Sequence, residues 1–207
     1  MIEFRQRYIG PYMRKYGNIF RVNDCPGDAL SNRVGSIDLR MLAGETAVHS
    51  DMIMWSPEAR AEVAALQLIN VLFAVPQFSM KLSQLSEEQL AVAEFWLSFW
   101  KEYKEVLLKG ELKAASPEHL YPLISSENKK QKLIAVFEKM AVKLGEKLPP
   151  ELILVNGTLE NKLLLELETA LRQKVMKVYN ARGKLVENKE LSLKKGLHKL
   201  EVPAASC

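Results

Sequence analysis

The chain has 207 residues, nearly half of them apolar and about a quarter charged, enough to bury one or two ordinary globular cores. Its 29 basic and 25 acidic residues leave a net charge of +4. That excess is small and scattered, which argues against a nucleic-acid binder, whose cations gather on one face. Two cysteines, Cys25 and Cys207, make no disulfide framework, so a reducing, cytoplasmic setting is the simpler expectation. The longest apolar stretch, Val63 to Val75, is interrupted by Gln67 and Asn70 and is too short to span a bilayer. The first residues carry no signal-peptide core. His49, His119 and His198 are isolated from one another, so neither a metal nor a cofactor is expected.

Apolar residues recur at near-helical spacing over residues 2–16 and predict a helix, kinked at Gly10-Pro11. Ile19 to Val22 reads as a strand, ending in the loop Asn23-Asp24-Cys25-Pro26-Gly27-Asp28. Residues 29–43 read as a loop with a short helix. Thr46 to Val48 begins a second strand, and His49, Ser50, Asp51 and Trp55 gather at its end. A carboxylate there, with a helix following, is where an α/β barrel keeps its catalytic groups. Asp51 and Ser50 are also good turn formers, and that reading stays open.

A helix is predicted from Pro57 to about Val75, with Ser56 as its cap and Pro76 as its stop. Ser86 and Gln89 form a capping box for a further helix that runs to about Leu108. Its aromatics, Phe95 to Tyr103, sit at the spacing of a packing stripe. Beyond Lys109 the apolar period falls towards two. Strands are predicted at 152–155, 163–171, 175–179 and 198–202, with a hairpin signal at Asn180-Ala181-Arg182-Gly183. Residues 132–143 lean towards strand. The expected division is therefore an α/β part over 1–108 and an antiparallel β part over 109–207.

Several segments together resemble a known family. They are Ile2-Glu3-Phe4-Arg5-Gln6, Phe20 through Pro26, Asn32-Arg33, His49 through Trp55, and Ala65 through Gln77. The Phe95-Trp96 helix and Tyr121-Pro122-Leu123 add to them. These look like the C-terminal third of the retaining alpha-galactosidases of the melibiase and raffinose-hydrolase type. The resemblance implies an α+β chain, α/β in its first part: the last strands and helices of a (β/α)8 barrel followed by a C-terminal antiparallel β-sandwich. It places Asp51 at the end of the eighth strand as the general acid/base. It places Cys25 and Arg33 beside the bound sugar, and Asp24, at the end of the adjacent strand, is a further candidate for binding a sugar hydroxyl.

The sequence departs from the family in two places. The glycine run between Cys and Arg is replaced by Pro26-Gly27-Asp28-Ala29-Leu30-Ser31-Asn32, and no Lys-Trp-Asp-like nucleophile motif occurs. Retaining hydrolysis needs two carboxyl groups about 5–5.5 Å apart, and Asp51 supplies one. The expected function is accordingly that of a C-terminal fragment of a glycosidase acting on alpha-linked sugars, with an alpha-galactoside or related carbohydrate as its partner. The alternatives are a non-catalytic carbohydrate-binding or interaction remnant, or one subunit of a split enzyme. The expected protein partners are the missing N-terminal barrel portion or a homo-oligomer, and neither nucleic acid nor membrane.

Overall fold

The computed structural model describes residues 2–5, 8–158, 160–180, 182–183 and 185–202. Cys207 and Ala181 of the hairpin signal lie outside these. The fold is α+β, and the chain forms two compact units, Met1–Tyr103 and Lys104–Cys207. The boundary falls inside a helix rather than in a linker. No helix among the described residues is long and apolar enough to cross a membrane.

The first unit holds four strands, β1 (Glu3–Phe4), β2 (Ile19–Arg21), β3 (Ala47–Ile53) and β4 (Val75–Phe78), all parallel and in sequential spatial order. The helix α1 (Ala29–Ala43) connects β2 to β3, and α2 (Ala61–Asn70) connects β3 to β4. Register partners share a face of a sheet. Phe4, Phe20 and Val48 are aligned across three strands. They belong to one apolar cluster with Leu39 and Ala43 of α1. Gly35 brings α1 down onto β2, since a Cβ there would lie 2.6 Å from Val22 Cγ1.

Several sequence expectations are corrected here. Over residues 2–5 and 8–16 the chain forms β1 and a short 3-10 turn, Pro11–Lys15, where a helix was expected. Pro11 lacks an N–H and cannot continue a helix, so it starts a new turn. Residues 29–43 are a full 15-residue helix, where a loop with only a short helix was expected. Asp28 caps it, its Oδ1 accepting from Ser31 N at 3.0 Å and its Oδ2 from Ser31 Oγ at 2.7 Å.

The helix predicted over 57–75 shortens to α2. Ser56 Oγ accepts from Glu58 N in a turn ahead of it, and Val75–Phe78 forms β4. Pro76 is not a helix stop but part of an edge strand, where a missing N–H is tolerated. A strand therefore follows the one that carries Asp51, so Asp51 does not end the last strand.

The helix α3 (Glu87–Lys109) starts with the expected reciprocal capping box. Gln89 N donates to Ser86 Oγ and Ser86 N to Gln89 Oε1, each at 3.2 Å. Gln89 is fully buried, and its Nε2 also donates to Ser56 O and Ala59 O. Trp96, Phe99 and Tyr103 form the buried aromatic stripe that the spacing predicts.

The second unit contains β5 (Glu111–Ala115), β6 (Leu123–Glu127), β7 (Gln131–Val136), β8 (Ala141–Leu144), β9 (Glu151–Asn156), β10 (Lys162–Leu167), β11 (Leu171–Tyr179), β12 (Leu185–Leu193) and β13 (Gly196–Glu201). They make a six-stranded sheet in the order β12-β11-β9-β7-β6-β5 and a three-stranded sheet in the order β13-β10-β8. One apolar core draws on both, from Ile134, Leu152, Leu154 and Met176 to Val142, Leu165 and Leu200.

An antiparallel domain was expected, but β9 runs parallel to both β7 and β11, and β8 parallel to β10. Leu152 to Val155 are all fully buried, the continuous apolar run of a strand covered on both faces. The strand predicted at 163–171 is two strands, because the chain passes from one sheet to the other after Leu167. The fall of the apolar period towards two holds along β10. Leu163, Leu165 and Leu167 are buried, and Leu164 and Glu166 are half-exposed.

Candidate functional site

The face of the first sheet turned away from Phe20 and Val48 is polar. Glu3, Ile19, Arg21 and His49 share it by register. Arg21 is the hub. Its Nε lies 3.4 Å from Glu3 Oε1, and its Nη1 lies 3.3 Å from Asp51 Oδ1. From β4, the Gln77 amide lies 2.7 Å from His49 Nδ1 and 3.5 Å from Glu3 Oε2. Each of the four parallel strands thus contributes a polar side chain to one connected network.

The contact between Glu3 and Gln77 joins the two edge strands. Three strand steps are roughly 14 Å in a flat sheet, whose side chains stand parallel to one another. Their tips meet because the sheet curls and its polar face is concave.

Asp51 has no exposed surface. Besides Arg21, its carboxylate accepts from Cys25 N, with Oδ2 at 2.5 Å, which fastens the loop after β2 to β3. Its backbone is held as firmly. Asn32 of α1, also fully buried, accepts from Asp51 N at 2.9 Å and donates to Asp51 O at 3.2 Å. A buried backbone pair of this kind is costly to leave unmade. Replacing Asn32 with alanine is expected to cost about 2 kcal/mol, read by urea unfolding. A loss too small to measure would mean that water replaces the amide.

The ladder between β3 and β4 is irregular at this point. His49 pairs with Val75 and Met52 with Gln77, so β3 carries one extra residue, a β-bulge at Ser50-Asp51. Ser50 Oγ accepts from Gln77 N at 3.1 Å and closes the gap that the bulge opens.

Of the residues singled out from sequence, the structure brings Asp51 and Cys25 together and leaves the other two elsewhere. Asp24 is exposed and makes a 3.1 Å ion pair with Arg5. Arg33 is buried on α1, where its Nη1 donates to Asn70 Oδ1 of α2 at 3.0 Å, so it ties helix to helix. Glu3, Arg21, Asn32 and Gln77 were missed as site residues, and His49 was noted only as a member of the polar cluster beside Asp51. Alternation along β1, β2 and β3 places Glu3, Arg21 and His49 on one face, and that was the signal available. Trp55, just past β3, meets Phe78 of β4 edge-on at 6.1 Å. Among the described residues no group of three or more His, Cys, Asp and Glu is placed to hold a metal ion.

Burial, with the nearby Asp51 carboxylate adding to it, pushes the Cys25 thiol up to about 11 from an ordinary 9.0. The shift lowers the thiolate fraction near pH 8 about a hundredfold, and the higher basicity of that thiolate returns part of the rate. Iodoacetamide should therefore label Cys25 about tenfold more slowly in the folded chain than in urea, followed by peptide mass spectrometry. Equal rates would show that the loop after β2 is open in solution.

Burial also lowers the His49 imidazole below its ordinary 6.5. Glu3 opposes this shift and Arg21 reinforces it. The unfolded chain then takes up the proton first as pH falls. His49 thus contributes stability that is full above pH 6.5 and is lost progressively below it. His49→Gln should flatten the decline of stability below pH 6.5 in urea titrations, and an unchanged slope would assign that decline to other groups.

No protein-family model, curated protein or solved structure matches this chain.

Proposed function

We propose that the chain supplies the acid/base-bearing part of an alpha-galactosidase-like retaining glycoside hydrolase. In this reading the first unit is part of a (β/α)8 barrel, and the second unit is its C-terminal β-sandwich. One observation carries the proposal. Asp51, on the third of four sequentially ordered parallel strands, adjoins Arg21 and the Cys25 loop of the neighbouring strand. Sequential order is that of a singly wound sheet, whereas a doubly wound sheet reverses at a switch point. Barrel enzymes gather their chemistry at the carboxyl ends of such strands. The nucleophile would come from strands outside this chain.

In that mechanism Asp51 protonates the leaving oxygen of an alpha-linked sugar while the partner carboxylate attacks the anomeric carbon. It then takes a proton from the water that releases the glycosyl group. Arg21 and the Cys25 amide fix the carboxylate's orientation.

A second reading is a non-catalytic remnant that has kept the fold. The observation favouring it is the complete burial of Asp51 with both carboxylate oxygens engaged. An activated aryl α-galactoside separates the two. Turnover is expected only when a second chain carrying the earlier barrel strands is added. If none appears in a stable mixed complex, the remnant reading holds.

A further inference from the structure

We infer that a second copy of this chain closes the open edges of the first unit's sheet. In that arrangement β4 of each protomer pairs in parallel with β1 of the other. The inference rests on the barrel reading above: the second copy holds the edges that a chain carrying the earlier barrel strands would have to displace it from before turnover could appear.

Among the described residues β1 pairs only with β2 and β4 only with β3, so the four-stranded sheet has two free edges. A free edge is a template for another strand. The sheet already curls, as the contact of 3.5 Å between Glu3 and Gln77 requires. Four curved strands joined to four more make the eight of a closed (β/α)8 barrel. A two-fold axis along such a barrel relates the two joins, so one self-complementary contact is used twice and the assembly stops growing.

The backbone fixes how the edges would meet. Along a strand, N–H and C=O groups turn to alternate sides with a period of two. Asn18 N donates to Ile2 O, so Ile2 faces β2 and Glu3 presents its N–H and C=O outwards. On β4, Gln77 N donates to Ser50 Oγ and Ser79 N to Ile53 O, so Gln77 and Ser79 face β3. Pro76 and Phe78 therefore face outwards. In a parallel ladder Glu3 N–H donates to the Pro76 C=O of the partner subunit, and the partner's Phe78 N–H donates to Glu3 C=O. Pro76 has no N–H, and this register asks for none. Glu3 then stands opposite the partner's Gln77. Both belong to the polar face, so the network found in one copy continues into the next.

The test mixes two singly substituted chains, Glu3→Cys and Gln77→Cys, each in a Cys25→Ala, Cys207→Ala background. Register partners in adjacent strands lie within disulfide reach, about 4.4–6.8 Å between Cα atoms. Oxidation of the mixture should give a disulfide-linked pair, whereas either chain alone should not. Light scattering of the unsubstituted chain should give twice 23.5 kDa and does not depend on the variants folding. A monomer overturns the inference, and so does a dimer that fails to cross-link or a mass that keeps rising with concentration. If the chain is monomeric but binds a second chain carrying the earlier barrel strands and gains turnover, the second copy is wrong and the hydrolase reading stands. If it dimerises and cross-links but no added chain ever gives turnover, the reverse holds.

Discussion

Asp51→Ala should lower the stability of the first unit by about 3 kcal/mol. The carboxylate is fully buried and its partner Arg21 is nearly so. Removing one member of a buried pair strands the other charge, at a cost of about 3–5 kcal/mol. Here the lower end applies, because Arg21 keeps Glu3, which is partly exposed, at 3.4 Å. The Cys25 amide also loses its acceptor, which loosens the loop after β2. All three tryptophans, Trp55, Trp96 and Trp100, lie in this unit, so their fluorescence follows its unfolding in urea. A loss under about 1 kcal/mol would show that Arg21 finds water in place of Asp51.

Asp51→Asn is the variant that separates scaffold from chemistry. The chain by itself should give no turnover of an aryl α-galactoside, because Asp51 is one carboxylate where retaining hydrolysis needs two. On the hydrolase proposal, the wild-type chain in a complemented complex should turn the substrate over, and Asp51→Asn should reduce that by about 10²–10⁴, the usual worth of a positioned general acid/base. Asparagine keeps the shape and one acceptor but has no proton to give. Complexes of wild-type and Asp51→Asn chains that work equally well would remove Asp51 from the chemistry. Turnover by the isolated chain, abolished by the same change, would place a second functional carboxylate within it, and Glu3 is the one that shares Arg21 with Asp51.

The parts of this fold legible in the sequence were those whose signals are local. The Ser86/Gln89 box and the aromatic stripe of α3 needed only neighbouring residues to be read. The strands β2 and β3 announced themselves as short apolar runs ending in polar loops. What failed depended on partners far along the chain. Pro76 looks like a helix stop until the edge position of β4 is known. Residues 29–43 look like a loop with only a short helix because Ser31, Asn32, Arg33 and Ser36 interrupt the apolar pattern, yet three of these, Asn32, Arg33 and Ser36, are buried. Alternation shows that β10 is a strand without showing whether its neighbour runs with it or against it. The unbroken run from Leu152 to Val155 did carry that information, since continuous apolar strands are typical of parallel interiors.

The site divides in the same way. Asp51 and Cys25 were visible because each ends a strand-like run. Asp24 was visible for the same reason but turns to solvent and Arg5. Arg33 serves α2 instead of the polar face. Arg21 and Gln77 carry no motif at all, and only the registers of β1 to β4 assemble them with Glu3 and His49.

The bulge at Ser50-Asp51 makes the placement of the carboxylate a matter of counting. With one residue fewer between His49 and Met52, β3 would match β4 one to one from Val75 to Gln77. A chain lacking Ser50 would set Asp51 opposite Pro76, on the face that carries Val48 and the helices. The charge would then point into the apolar layer. Loss of a single codon here should therefore be far more damaging than most point substitutions nearby, while a codon gained or lost in the loop of residues 54–60 should leave the network intact. A deletion scan scored for soluble expression would show that asymmetry as a sharp boundary at the end of β3.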